Sequence, residues 1–296
     1  MPGIRIISDM PQITLEAEKV FAILGISITN SMIASWLTML ILIVFLILAT
    51  RKMELVPTGF QNVVEMVLEM FYESVAKARA GEKARLFFPL SATIFFFILL
   101  SNWLGAILPG FGSIGLLEHH HGKEVLVPFL RSANTDLNTT LALAFFSVLG
   151  TQVYGIKVQG FFRYAGRFIR VGGFVDFFKG LVGLLRRKGP FKTLLKSLLK
   201  TLMNAVIDAF IGMLEIFDEL TKLLSFSFRL FGNIFAGEVL LIVTATLFFQ
   251  IFKNLALIIY PASLIFVALE IFVGFIQAFI FATLTLVFLR IATTHH

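Results

Sequence analysis

The sequence predicts an all-α polytopic membrane protein with five membrane-crossing segments and one amphipathic helix along the membrane surface. Three observations carry that prediction. Of 296 residues, 58% are hydrophobic and 15% charged, against roughly 45–50% and about 25% in soluble chains. Mean hydropathy is +0.91. Thirty-five Phe stand beside four Tyr and two Trp, more apolar rings than a water-facing fold could hide. With no Cys in the chain, disulfides, Fe–S clusters and thiol chemistry are excluded. The whole of 1–296 is expected to form a single membrane domain.

The elements follow in order. Residues 1–31 carry Arg5 and Lys19 among three acidic residues, and the apolar run after them is too long for a signal-peptide core, so no cleavable signal is expected. No charge occurs from Val20 to Thr50, and 32–50 form the first span, closed by Arg51-Lys52. In 51–85, Gln61, Glu65, Glu69, Glu73 and Lys77 recur every fourth residue beside Met66, Val67, Met70 and Phe71. One ionic stripe of this kind predicts a surface helix over 57–80, begun near Pro57. A second span at 86–108 ends at the breaker pair Pro109-Gly110. The third, 137–156, has Asp136 at its mouth as a candidate helix cap.

Residues 157–200 hold eleven Lys or Arg against Asp176 alone. This is a basic loop of the positive-inside kind, with an interfacial amphipathic stretch at 186–200. Two long apolar segments, 202–252 and 255–290, complete the chain. Fifty helical residues would extend about 75 Å, far beyond a hydrocarbon layer of about 30 Å, so the first must be kinked, steeply tilted or partly outside the bilayer. Charge asymmetry puts 51–85 and 157–200 inside, the amino terminus outside and the carboxyl terminus inside.

Eight ionisable residues interrupt the last two segments: Asp208, Glu215, Asp218, Glu219, Lys222, Arg229, Glu238 and Glu270. Intramembrane charges are costly and face protein, cavity or water. Arg229 cannot shed its proton, and Glu215 and Asp218, though on its face, lie three or four turns away. Its partner must come from another helix or another subunit. Glu270 and Gln277 are seven residues apart and share a face; Glu238 falls opposite Arg229. A fixed positive charge flanked by protonatable carboxylates suits a proton path with a barrier. Structural ion pairing and a substrate-binding transporter use the same residues.

The segments "RLFGNIFAGE" (229–238), "SNWLGAILPG" (101–110), "SANTDLNTTLALA" (132–144), "ELTKLLSFSFRLFGN" (219–233) and "QAFIFATLTLVFL" (277–289) decide among these. Through them the chain resembles the a subunit of the membrane (Fo) sector of bacterial F-type ATP synthases. The resemblance implies a non-catalytic subunit of the bacterial inner membrane that passes ions, expected to be protons, through two half channels at a c-subunit ring. The last two helices would lie long and tilted against that ring. Arg229 would face the ring carboxylates, with Asn233 and Gln277 flanking it. Glu238, Glu270 and Asp136 would take polar positions on the outer side, and Glu215 one on the inner side. The b subunits of the peripheral stalk, the rest of the ATP synthase and membrane lipids would be the partners, with no nucleic acid.

Two departures from the family pattern stand out. Leu223 occupies a position where Pro is frequent, and Glu270 one where some members carry His. A secondary transporter would show an inverted repeat of broken helices, and none is found in the sequence. A structural scaffold would use its polar residues only as staples. His119, His120 and His121 read as a solvated loop, since adjacent imidazoles rarely converge on one ion; neither a metal nor a cofactor is expected.

Overall fold

The computed structural model describes residues 17–23, 25–110, 115–120, 123–128, 131–168, 191–251 and 256–294, with positions 175, 178, 179 and 182 between them. A hairpin of β1 (Lys19–Ile23) and β2 (Ile26–Thr29) leads into α1 (Asn30–Thr50). Next come α2 (Gly59–Phe71), a wide π turn (Tyr72–Lys77), α3 (Ala78–Ala80), a tight turn (Gly81–Lys83) and α4 (Ala84–Gly110). A second hairpin, β3 (Gly115–His120) with β4 (Lys123–Pro128), precedes α5 (Leu137–Gln159) and the short α6 (Phe161–Phe168). The chain ends with α7 (Phe191–Ile251) and α8 (Ala256–Thr293). Five helices are long and apolar enough to cross a membrane. The all-α architecture therefore describes the membrane-length elements, and the two hairpins are additions that the sequence reading did not predict. His119 and His120 lie on β3; His121, His295 and His296 fall outside the described residues.

Local chemistry sets the helix ends. Thr29 Oγ1 accepts from the Met32 amide at the start of α1 (3.3 Å), and Asp136 Oδ1 accepts from the Asn138 amide at the start of α5 (2.9 Å). Each side chain satisfies one of the amides that a helix start leaves unpaired. Gln61 is buried and folds the chain back on itself, bonding both the Glu54 amide and the Glu54 carbonyl at 3.1 Å. The stripe expected along α2 thus begins inward at Gln61 and turns outward at Glu69, Glu73 and Lys77, the last two paired at 2.7 Å. Met66 and Met70 are exposed, whereas Phe71 is buried and stacked on Phe95 at 4.6 Å.

α4 packs along α8, α5 lies against both α7 and α8, and α1 leans on α4. Between membrane helices there is little hydrophobic driving force, so close packing and interhelical hydrogen bonds must hold them. Phe87, Ile98, Leu230, Leu286 and Leu289 are fully buried at the centre. Hydroxyl pairs cross the interfaces: Ser147 with Thr285 at 2.8 Å and Thr140 with Ser227 at 3.1 Å. Each such bond contributes about 0.6 kcal/mol in membrane proteins. Glycine allows the nearest approaches. A Cβ on Gly274 would sit 2.8 Å from Asn102 Cβ, and one on Gly155 would sit 2.3 Å from the Tyr164 ring.

α7 is an unbroken helix of 61 residues, about 92 Å at the standard rise. It begins at residue 191, earlier than the apolar pattern placed it, because Lys192, Lys196 and Lys200 are compatible with the helix even though they end the apolar run.

Candidate functional site

Arg229 stands on the face of α7 that turns away from the rest of the chain. Ser225, Phe228, Gly232, Asn233 and Ala236 share its exposure, whereas Phe226, Ser227, Leu230 and Ile234 are at most 2% exposed. The division follows helical spacing: residues three, four and seven apart lie on one side. Arg229 Nη2 donates to Ser225 Oγ at 3.4 Å. Among the described residues no carboxylate comes within ion-pair distance of it. The partner demanded by this charge is therefore not found within the described chain.

One turn along α7, Asn233 Nδ2 donates to Gln277 Oε1 of α8 at 2.8 Å, with Gln277 only 2% exposed. This bond ties the two long helices together beside Arg229.

Polar clusters lie on either side of Arg229 along α7. In the first, Glu238 accepts from Arg131 Nε at 3.0 Å, and the Arg131 guanidinium stands 5.5 Å over the Phe235 ring. The Glu270 carboxyl packs beside Gly237, where a Cβ would lie 3.5 Å from its Oε1, and its buried Oε2 has no hydrogen-bond partner. Nearby, Asp136 Oδ2 accepts from Ser31 Oγ at 2.8 Å, so this residue anchors α1 as well as capping α5.

The second cluster is fourteen residues before Arg229, about 21 Å along the axis. There Glu215 is paired with Arg167 of α6. Lys222 bridges Asp218 at 2.6 Å and Glu219 at 3.0 Å, with its ammonium 5.0 Å from the Phe288 ring. Tyr164 fits the Gly155 notch and donates to Gln152 Oε1 at 2.7 Å. Burial, reinforced by the negative charge of Glu219, pushes the Tyr164 phenol up to about 12.

Two separated sets of carboxylates with an arginine between them, on an unbroken helix, is the arrangement the motif at 229–238 accompanies. A family model described as ATP synthase A chain matches residues 32–185 and 174–290. The chain belongs to the ATP synthase A chain family. The family's members are non-catalytic channel subunits, and this A chain is a polytopic helical membrane protein of ATP synthesis and ion transport, not an enzyme.

Within this A chain, the seven residues singled out from sequence do not form one cluster. Asn233 and Gln277 touch each other, Glu238 and Glu270 adjoin through Gly237, and Arg229, Asp136 and Glu215 each stand apart. Sequence reasoning missed Arg131, Arg167 and Ser31 as their partners. All three are distant in the chain from the residues they bind, Ser31 by 105 positions and Arg131 by 107, and no spacing rule links them. The one available signal was unsatisfied charge: buried carboxylates at Glu215 and Glu238 require cations, and Arg131 and Arg167 stand next to predicted spans. Among the described residues no cluster of three or more His, Asp or Glu is placed to hold a metal ion.

Proposed function

We propose that this A chain conducts protons through two aqueous half channels at its contact with a c-subunit ring, coupling their flow to rotary ATP synthesis or hydrolysis. The observation that carries the reading is Arg229: a permanent cation on an outward, otherwise apolar face, with no carboxylate beside it among the described residues. A ring carboxylate on a partner chain is the group that completes it. A proton entering one half channel neutralises a ring carboxylate, which can then travel past lipid. As that carboxyl returns to Arg229, the guanidinium favours its ionised form and the proton leaves by the other half channel. A potential of 100 mV supplies about 2.3 kcal/mol per elementary charge, and the fixed cation keeps the half channels from joining.

Glu238, Glu270 and Asp136 belong to the outer side in this reading and Glu215 to the inner side, with the amino terminus outside and the carboxyl terminus cytoplasmic. α7 and α8 lie tilted along the ring, which reconciles a helix of about 92 Å with a bilayer about 30 Å thick. α2 lies at the inner surface, its exposed Met66 and Met70 toward lipid or the b subunits. A secondary transporter would place its site at broken helices; α7 is unbroken across all its described residues.

The test is replacement of Arg229 in the complete ATP synthase, reconstituted in vesicles. Arg229→Ala and Arg229→Gln are expected to abolish ATP-driven proton pumping and to increase passive leak. Arg229→Lys is expected to abolish pumping with less leak, since an ammonium keeps the charge but loses the planar fork. Normal assembly with near-parent pumping in Arg229→Ala would sink the mechanism.

A further inference from the structure

Arg131 is 5% exposed and is held on three sides. Its Nε donates to Glu238 Oε2, and its guanidinium lies over the Phe235 ring. The segment that carries it is pinned at several points. Asp136 bonds Ser31, Asn134 Nδ2 donates to Asn102 Oδ1 at 2.7 Å, and Asn102 Nδ2 donates to the Gly274 carbonyl at 3.1 Å. These bonds fix residues 131–136 against α1, α4 and α8 together, so the guanidinium has no slack with which to follow a moving partner.

Glu238 and Glu270 differ accordingly. Neutralising Glu238 would strand a buried guanidinium that cannot lose its own proton, a change that is costly wherever buried pairs have been broken. Glu270 carries no such tie. Its Oε2 has no hydrogen-bond partner, and among the described residues no cation lies within ion-pair distance. It stands one turn before Gly274, on the same helix as Gln277, and beside the backbone at Gly237.

We infer that Arg131 is a positioning residue that holds Glu238 as a fixed counter-charge, leaving Glu270 as the carboxyl that takes up and releases the proton on that side of Arg229. The assignment rests on the half-channel reading above. Each transfer is a simple exchange: water on the open side gives a proton to a Glu270 oxygen, and Glu270 gives it to a ring carboxylate. Arg131 and Glu238 neither gain nor lose a proton during the cycle. They supply a neutral, rigid wall that keeps Glu270 facing the path.

The experiment compares variants in the complete ATP synthase, reading ATP-driven pumping per assembled complex together with subunit recovery. Glu270→Gln is expected to abolish pumping. Glu238→Gln and Arg131→Gln each leave one buried charge unpaired and are expected to pump roughly tenfold less than parent. Arg131→Lys, which keeps the charge, should pump better than Arg131→Gln. The double variant Arg131→Gln with Glu238→Gln removes both charges and should regain most of the parent rate. A double variant as inactive as Glu238→Gln alone would make Glu238 a proton carrier and overturn the assignment. Near-parent pumping in Glu270→Gln would do the same. So would variants that alter only subunit recovery, with the rate per complex unchanged. Arg229→Ala in the same series separates the failures: if it pumps, the half-channel reading falls, and if it is inactive while the double variant gives no rescue, only the role of Arg131 falls.

Discussion

Arg131 and Arg229 each sit within one long helix's reach of Glu238, and their surroundings are opposite. Arg131 is 5% exposed, with a carboxylate at 3.0 Å and an aromatic ring under its guanidinium. Arg229 is exposed, its bond to a serine hydroxyl is 3.4 Å long, and its neighbours on the surface are small or apolar. The first charge is satisfied by the fold and stabilises it. The second is left for something outside the fold. An intramembrane cation that the chain does not neutralise is costly in lipid, so the cost must be removed by association, and function is to be sought on the face where the fold has left a charge unsatisfied.

The largest expected difference between the two is in stability. Arg131→Gln strands Glu238 and should destabilise the isolated subunit in detergent by about 3 kcal/mol. Arg229→Gln breaks no buried pair and should change it by less than about 0.5 kcal/mol. Denaturant titration of both variants checks this, and equal losses would erase the distinction drawn here.

A smaller effect is expected at two serines of α7, two residues apart. Ser225 is exposed beside Arg229, and Ser227 is fully buried against Thr140. In this Cys-free chain, Ser225→Cys should react with a soluble thiol reagent about tenfold faster than Ser227→Cys, since reactivity follows access. Assembly into the complete complex should slow the first and leave the second unchanged. Unaltered labelling of Ser225→Cys on assembly would mean that no partner covers the Arg229 face.

The smallest effect belongs to Tyr164, a third charged neighbourhood in which everything is satisfied within the chain. Its phenol is raised from 10.0 to about 12, so the folded state favours the protonated form. That contribution is complete below about pH 10 and is lost as pH rises from about 10 to about 12. Ultraviolet titration should show one late-ionising tyrosine in this window, absent in Tyr164→Phe. That variant should also lose less stability than parent over the same interval.

Much of this molecule was legible before its coordinates, for reasons that can be named. Asp136 was readable as a cap because capping is settled within two or three residues. Arg229 and Glu270 were conspicuous because charge inside an apolar run violates a strong local expectation. The partners were hidden for the converse reason. Arg131 lies beside β4, and only the folded arrangement brings it to Glu238, 107 positions away. The two hairpins escaped because strands of four to six residues leave a periodic signal too brief to separate from a loop. The early start of α7 escaped because lysines at every fourth position read equally as an interfacial stretch and as the first turns of a longer helix. The inward turn of Gln61 had no sequence signal, since its stripe-mates at Glu69 and Glu73 point outward.

The bond from Asn233 to Gln277 has a mechanical consequence. Two parallel rods loaded from one side bend independently, but rods joined by rungs behave as a single stiffer beam. Here the rungs are Asn233 with Gln277 at 2.8 Å, Phe226 against Phe281 and Phe288 at 4.7 and 5.5 Å, and the Lys222 ammonium at the Phe288 ring. The first lies one turn from Arg229 and the others within two turns on the opposite side. A partner sliding past Arg229 would push sideways on the guanidinium, and that load would pass into both helices at once, then through Ser147 and Thr285 into α5. The arginine is braced where the thrust falls, and a bearing surface needs that stiffness as much as it needs its charge.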